Sequence, residues 1–101
     1  MIATVNGDVL HLQMPARFDL KEHRNFRDAY QPWLERDEIK FVQIDFAETD
    51  YIDSAALGML LLLRRQCRDS GRVVSLAGAH GMVAEVLRIA KFDTLFGWLP
   101  C

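Results

Sequence analysis

Apolar positions recur along the chain with two periods, every second residue in some segments and every third or fourth in others. The first period is that of a half-buried strand, and the second is that of a helix with one apolar face. Strand patterns cover residues 2–5, 8–14, 41–46, 72–77 and 95–99, and helical patterns cover residues 19–34, 54–69 and 82–90. The chain is therefore predicted to alternate strands and helices after an opening pair of strands.

This alternation favours a mostly parallel sheet, because a strand that follows a helix returns parallel to the strand before it. Asn6 and Gly7 separate the first two strand patterns, and an Asn-Gly pair predicts a tight hairpin turn at that point. The predicted fold class is α/β, with a mixed, mostly parallel sheet of about four to five strands and helices packed on it. A length of 101 residues, half of them hydrophobic, suits a single domain over residues 1–101.

Acidic residues stand at or just before the start of the first two helical patterns. Asp19, with Glu22 three residues later, resembles a capping box, in which the two side chains cap each other's backbone N–H groups. Asp53 and Ser54 can each cap the second helix. Residues 55–63 are apolar without a break, so this second helix is predicted to be buried.

Ser54 places a small hydroxyl group at the positive end of the second helix. Backbone N–H groups and the helix dipole favour an anion such as phosphate at that end. A capping role alone would also account for a serine there, and the spacing by itself favours that simpler interpretation.

The residues from Tyr51 onward, Y-I-D-S-A-A-L-G-M-L-L-L-L, resemble the signature of the STAS domain, the fold of bacterial anti-sigma-factor antagonists. The resemblance implies the STAS fold over essentially the whole chain, without the last C-terminal helix that many members carry. It also implies that Ser54, directly after Asp53, is the residue that a partner kinase phosphorylates. Ala55 and Ala56 depart from the pattern, which usually has Ser or Thr and then Gly at these positions.

The same resemblance implies a partner- and kinase-binding rim around the phosphorylated serine. The expected members of this rim are Asp19, Asp45, Tyr51, Asp53, Ala55, Ala56, Leu57 and Gly58. The acidic members, together with Glu48 and Asp50, predict a negative surface that a phosphate would make still more negative. Helix caps and ordinary strand-end acids explain Asp19 and Asp45 as well. Gly58 suits a close approach either to a partner or to the sheet.

The function implied is that of a non-enzymatic partner-switching regulator. Unphosphorylated, it binds an anti-sigma factor or a similar regulator; a serine kinase of the histidine-kinase-like ATPase type releases it, and a phosphatase resets Ser54. ATP and Mg²⁺ belong to the kinase, so no cofactor is expected here. Two alternatives stay open: a constitutive STAS accessory subunit of an ABC-type lipid transport complex, and a nucleotide-binding domain, against which the lack of a phosphate loop counts.

Composition and charge narrow the remaining classes of function. A net charge of −2 argues against nucleic acid as the main partner. Arg64, Arg65, Arg68 and Arg72 cluster, and a solvated helix C-terminus explains them better than a phosphate-binding patch. The three histidines are scattered, so neither a metal site nor a catalytic site is expected.

The expected compartment is the cytoplasm. No signal peptide is recognised, and no apolar run approaches the roughly 20 residues that span a bilayer, so direct membrane insertion is not expected. Cys67 is predicted to be a buried thiol, and Cys101 is predicted to be frayed, rather than the two forming a disulfide.

Overall fold

The computed structural model describes residues 1–99 and divides them into seven strands and four α-helices. The strands are β1 (Ile2–Asn6), β2 (Val9–Gln13), β3 (Arg17–Phe18), β4 (Phe41–Asp45), β5 (Tyr51–Ile52), β6 (Val73–Ala77) and β7 (Gly97–Leu99). The helices are α1 (His23–Leu34), α2 (Ser54–Asp69), α3 (Gly81–Ile89) and α4 (Phe92–Leu95), and a short 3₁₀ turn over Leu20–Glu22 precedes α1.

The main sheet has five strands in the order β1-β2-β4-β6-β7, which confirms the predicted α/β class and strand number. Only β1 and β2 are antiparallel; β2, β4, β6 and β7 pair in parallel. β3 and β5 form a separate two-stranded parallel sheet that the periodicity did not predict, because each strand has only two residues.

The hydrophobic core lies between one face of the main sheet and the helices. Alternate strand residues such as Leu12, Ile44 and Leu76 are fully or almost fully buried in the same cluster as Phe26 of α1 and Leu60 of α2. Their strand neighbours point to the other face and are half-buried or exposed. The period of two in the sequence thus marks which face the helices cover.

The opening hairpin forms, but its turn is one residue later than predicted. Asn6 pairs with Val9 inside the ladder, so Gly7 and Asp8 make the turn. Gly7 has φ +63°, while neither Asn6 nor Asp8 has a positive φ. A glycine at the first turn position with positive φ is the type II′ arrangement, which needs only one left-handed residue, whereas the predicted Asn-Gly turn needs two.

The start of α1 also differs from the predicted capping box. Asp19 does act as an N-cap, but its carboxylate accepts from Lys21 N and begins the 3₁₀ turn rather than the α-helix itself. Glu22 does not reciprocate; its carboxylate accepts instead from the side-chain amide of Asn25. The helix ends at Leu34, two residues after Pro32, as the pattern over residues 19–34 predicted, and the missing N–H of the proline weakens the helix at this end.

Near the C-terminus a one-turn helix, α4, replaces the beginning of the predicted last strand. Lys91 takes a left-handed conformation with φ 66°, and its carbonyl accepts from the hydroxyl of Thr94. The strand therefore begins at Gly97 rather than at residue 95. The predicted lack of a further C-terminal helix stays a prediction, since β7 ends at the last described residue, and the predicted fraying of Cys101 lies outside the described residues.

α2 has the predicted bounds, and it ends just before Gly71, which takes φ +75°. The expectation that it is buried holds for one face only. Leu60 and Leu63 are fully buried, but Leu61 is 40% and Leu62 49% exposed. A helix that packs against a sheet on one side covers only part of its circumference, so a continuous apolar run leaves leucines on the surface. In the described part of the chain, no helix is long and apolar enough to span a membrane.

Cys67 is the predicted buried thiol, with no exposed surface. Burial raises the pKa of this thiol from its ordinary value of 9.0 to about 11, with the nearby Arg72 charge opposing the shift. The buried site disfavours the thiolate because the core cannot solvate its charge.

Folding should therefore weaken in alkali partly through Cys67. As the pH rises above 9.0, the thiol of the unfolded chain loses its proton while the folded thiol keeps it up to about pH 11, so the unfolded state is progressively favoured. We expect the free energy of unfolding, measured by urea denaturation, to fall more steeply over this range in the wild type than in Cys67→Ala. Parallel slopes for the two proteins would contradict the raised pKa.

Candidate functional site

The two-stranded sheet of β3 and β5 joins the segment after β2 to the segment after β4. Arg17 pairs with Tyr51 and Phe18 with Ile52, and the side chains of Phe18 and Ile52 are buried. Because the two strands are parallel, their next residues, Asp19 and Asp53, leave the small sheet at the same end. The pairing therefore brings together two acids that are 34 positions apart in sequence.

Asp53 links the N-terminal ends of both helical segments with one carboxylate. Its Oδ1 accepts from Ala56 N at 2.9 Å, which caps α2, and its Oδ2 accepts from Leu20 N at 3.3 Å, in the 3₁₀ turn before α1. Asp53, with extended backbone at φ −117°, is the N-cap residue of α2. Of the two candidate caps in the sequence, the structure selects Asp53.

Ser54 is consequently the first residue of α2 and is exposed. A capping role does not explain this serine, because Asp53 accepts the hydrogen bond from the first turn of α2. Its side chain stands at the positive end of a 16-residue helix. The position offers an accessible hydroxyl whose loss would remove no cap.

The rim around Asp19 is not purely acidic. Arg17 lies with its Nε 3.7 Å from Asp19 Oδ2, and its guanidinium carbon lies 4.3 Å from the centre of the Tyr51 ring. Arg17, Asp19, Lys21, Tyr51 and Asp53 line one shallow depression. Arg17 and Lys21 were not predicted to be members of the rim. Only the pairing of β3 with β5 places Arg17 across from Tyr51.

Asp45 lies at the end of β4 and has its own partners. Its Oδ1 accepts from Ala47 N at 2.8 Å, and its Oδ2 lies 3.4 Å from His11 Nε2 on the neighbouring strand. A Cβ added to Gly78, which has φ +72°, would come within 2.8 Å of Asp45 Oδ1, so this corner of the sheet is tightly packed. These contacts tie Asp45 to the main sheet and not to the Asp19–Asp53 pair.

The four apolar members of the expected rim take different places on α2. Ala56 is fully buried, so its methyl group faces the core and leaves the surface unchanged. Leu57 is half-buried and packs against the core. Ala55 and Gly58 instead line a surface groove between α1 and α2.

We call this the α1–α2 groove; it has a volume of about 220 Å³. Its lining is mainly apolar, and His23 and Arg27 are its ionisable members besides Tyr30. The lining residues are Leu20, His23, Phe26, Arg27, Tyr30, Ala55, Gly58, Met59 and Leu62. Leu20 is 65% exposed, so the groove displays apolar surface to solvent directly beside the start of α2.

Gly58 is exposed, and a Cβ built on it would meet no atom within 4 Å. Close packing against the sheet therefore does not account for this glycine. Of the two roles that the sequence left open for Gly58, the close approach to the sheet is excluded.

The site shows no arrangement for metal binding: residues 1–99 hold no group of three or more His, Cys, Asp or Glu side chains placed around a common point. The residues at the start of α2 offer instead an acceptor hydroxyl, a helix dipole and an adjoining apolar surface.

A family model described as "Mlab, STAS domain" matches residues 3–99. The chain therefore belongs to the STAS domain family, as the signature at Tyr51 implied. A STAS-domain containing protein of Pseudomonas aeruginosa is 39% identical over 98 residues, which cover 94% of this chain and 92% of that protein.

Solved structures share the fold at much lower sequence identity. An anti-sigma-factor antagonist (STAS) domain protein from Planctomyces limnophilus superposes with a TM-score of 0.85 at 16% identity, covering 99% of this chain and 89% of its own. The Bacillus cell fate determinant SpoIIAA in its phosphorylated form gives a TM-score of 0.75 at 11% identity, covering 97% and 86%. At these identities the likeness establishes the fold.

Asp53→Ala should destabilise the domain by about 2 kcal/mol, because it removes a helix cap and a second hydrogen bond to Leu20 N. Asp53→Asn keeps one carbonyl oxygen and should lose less. Urea denaturation gives both values, with Asp50→Ala, at an exposed neighbouring acid, as the control. An Asp53→Ala midpoint equal to that of Asp50→Ala would show that the carboxylate does not hold the two segments together.

Proposed function

We propose that the protein is a partner-switching regulator of the anti-sigma-factor antagonist type. In its unphosphorylated form it binds an anti-sigma factor or a similar regulator, and phosphorylation of Ser54 releases it. The observation that carries this proposal is that Ser54 is exposed at the start of α2 while Asp53 does the capping. An exposed serine with no capping duty is free to be modified.

Phosphorylation at this position is compatible with an unchanged fold. The modification adds roughly −1.5 to −2 charges at pH 7, and the N-terminal end of a helix stabilises negative charge. Asp53 retains both of its backbone bonds, because neither involves the hydroxyl of Ser54. The switch therefore acts through the surface and not through refolding.

The α1–α2 groove supplies the surface on which a partner can dock. Residues four apart lie on the same side of a helix, so Ser54 and Gly58 are neighbours on α2. Gly58 in turn lines the groove together with Ala55 and Leu62. A phosphate on Ser54 would therefore lie at one end of an apolar contact, where a partner would have to desolvate a dianion in order to stay bound.

The remaining components follow from this mechanism. The kinase, of the histidine-kinase-like ATPase type, brings ATP and Mg²⁺, so this chain needs no cofactor, and a phosphatase resets Ser54. The site of action is the cytoplasm. The similar structures support this scheme, since one is an anti-sigma-factor antagonist (STAS) domain protein and the other is SpoIIAA in its phosphorylated form.

The first experiment is intact-mass analysis of the protein purified from its own cells, with Ser54→Ala as the control. We expect a fraction of the wild type to carry the mass of one phosphate group and the variant to carry none. A wild-type protein that stays unmodified in every growth condition would overturn phosphorylation of Ser54. It would favour a constitutive module, such as the accessory subunit of a lipid transport complex.

The unphosphorylatable Ser54→Ala protein serves to capture the partner and as the reference for affinity. Ser54→Asp should bind this partner at least about tenfold more weakly, because it places a charge at the end of the groove. The melting temperature should stay nearly unchanged, since an acidic residue in the first turn suits the helix dipole. Isothermal titration calorimetry and thermal denaturation measure the two quantities. Equal affinity of both variants would contradict the switch mechanism.

Gly58→Ala separates partner binding from stability. Alanine should stabilise the helix by about 0.5–1 kcal/mol, because the added methyl group meets no atom of this chain. The same methyl group narrows the groove, so affinity for the partner should fall. A more stable variant with unchanged affinity would show that the partner does not use the groove.

A further inference from the structure

A second cavity lies at the opposite end of α2, roughly 20 Å from Ser54 along the helix axis. Its volume is about 210 Å³, and three arginines, Arg64, Arg68 and Arg72, line it. The other lining residues are Val73, Val74, Leu95 and Gly97. No acidic side chain is among these lining residues, so the cavity combines positive charge with an apolar wall.

Two of the arginines are held in place by backbone carbonyls. Arg64 donates its Nε–H to Leu95 O at 2.7 Å, which ties α2 to α4. Arg72 donates its Nε–H to Ile39 O at 2.8 Å and an Nη2–H to Arg36 O at 2.7 Å. Arg72 also donates an Nη1–H to Ser70 Oγ at 2.7 Å. A guanidinium carries five N–H groups, so these bonds orient both side chains and still leave free N–H groups on each.

The charges of these arginines are not neutralised within the described chain. Among residues 1–99, the ion pairs within 4 Å join His11 to Asp45, Arg17 to Asp19 and Arg36 to Glu38. None of these pairs includes an arginine of the cavity, although the chain has 14 acidic residues against 12 Lys and Arg. The cavity therefore concentrates positive potential in a protein of net charge −2.

The helix dipole does not fully account for the arrangement. Arg68 lies in the last turn of α2, where a cation is favoured. Arg64 lies more than a turn before the end and reaches a different element, and Arg72 lies beyond the helix altogether. Their convergence on one cavity is thus a product of tertiary structure, and the solvated-terminus explanation covers only part of the cluster.

We propose that this cavity binds the phosphate group of a small molecule. Guanidinium groups match the geometry of phosphate oxygens and bind them through paired, charge-assisted hydrogen bonds. Val73 is 55% and Leu95 37% exposed, so both offer apolar contact to the remainder of a phosphate ester. The site shares no residue with the α1–α2 groove and stands whether or not Ser54 is a switch.

The chain offers a matched pair of variants for the test. Arg68 lines the cavity and is exposed, whereas Arg65 is an exposed arginine of the same helix that is not among the lining residues. Arg68→Gln and Arg65→Gln therefore remove the same charge from almost the same place. Denaturation midpoints equal to that of the wild type establish that both variants fold.

Calorimetric titrations at constant ionic strength, with inorganic phosphate, pyrophosphate and ADP as probes, measure binding to the three proteins. We expect saturable binding of one equivalent, weakened about tenfold or more in Arg68→Gln and less than about twofold in Arg65→Gln. Equal affinity for pyrophosphate and ADP would assign the site to the phosphate group itself. Tighter binding of ADP, again lost in Arg68→Gln, would assign it to a phosphate ester that also contacts the apolar wall.

Two results would overturn the proposal. One is the absence of saturable binding for all three probes. The other is an equal loss of affinity in Arg65→Gln and Arg68→Gln, or no loss in either, because the binding would then reflect general charge or another site. Neither result would bear on Ser54, whose test uses a different surface and a protein partner.

Discussion

The carboxylate of Asp53 is the contact on which the candidate switch depends. One oxygen caps α2 and the other holds Leu20 N, so a single side chain joins two segments that are 33 positions apart in sequence. The short β3–β5 pairing brings these segments within reach, and the carboxylate fixes how they meet. Because Asp53 satisfies the first turn of the helix, Ser54 is left without a structural duty, and a modification there need not disturb the fold.

α2 connects the two surfaces to which we assign function. Its buried face anchors it to the sheet through residues such as Leu60 and Leu63, while its N-terminal half borders an apolar groove and its C-terminal half borders a cavity lined by arginines. Negative charge is favoured at the first end and positive charge at the second, which is the polarity of the helix dipole. A rigid helix can therefore present two sites of opposite character without a conformational change.

Exposed apolar surface beside Ser54 gives a physical reason why the proposed modification would have a large effect on partner binding. An apolar contact gains its free energy by releasing water, and a neighbouring dianion retains water strongly. Arg17 and Lys21 moderate the negative rim that the sequence predicted, so the resting surface is more balanced in charge than the acidic residues alone suggested.

The sequence by itself determined the order of the five main-sheet strands and of α1, α2 and α3, the bounds of α2 and the family, because periodicity and the signature at Tyr51 are local properties of the chain. Tertiary structure decided which of Asp53 and Ser54 caps α2, which α2 leucines stay exposed, and that Arg64 and Arg72 face one cavity. Each of these outcomes depends on a partner distant in sequence, such as Leu20 N or Leu95 O, and a local pattern carries no information about such a partner.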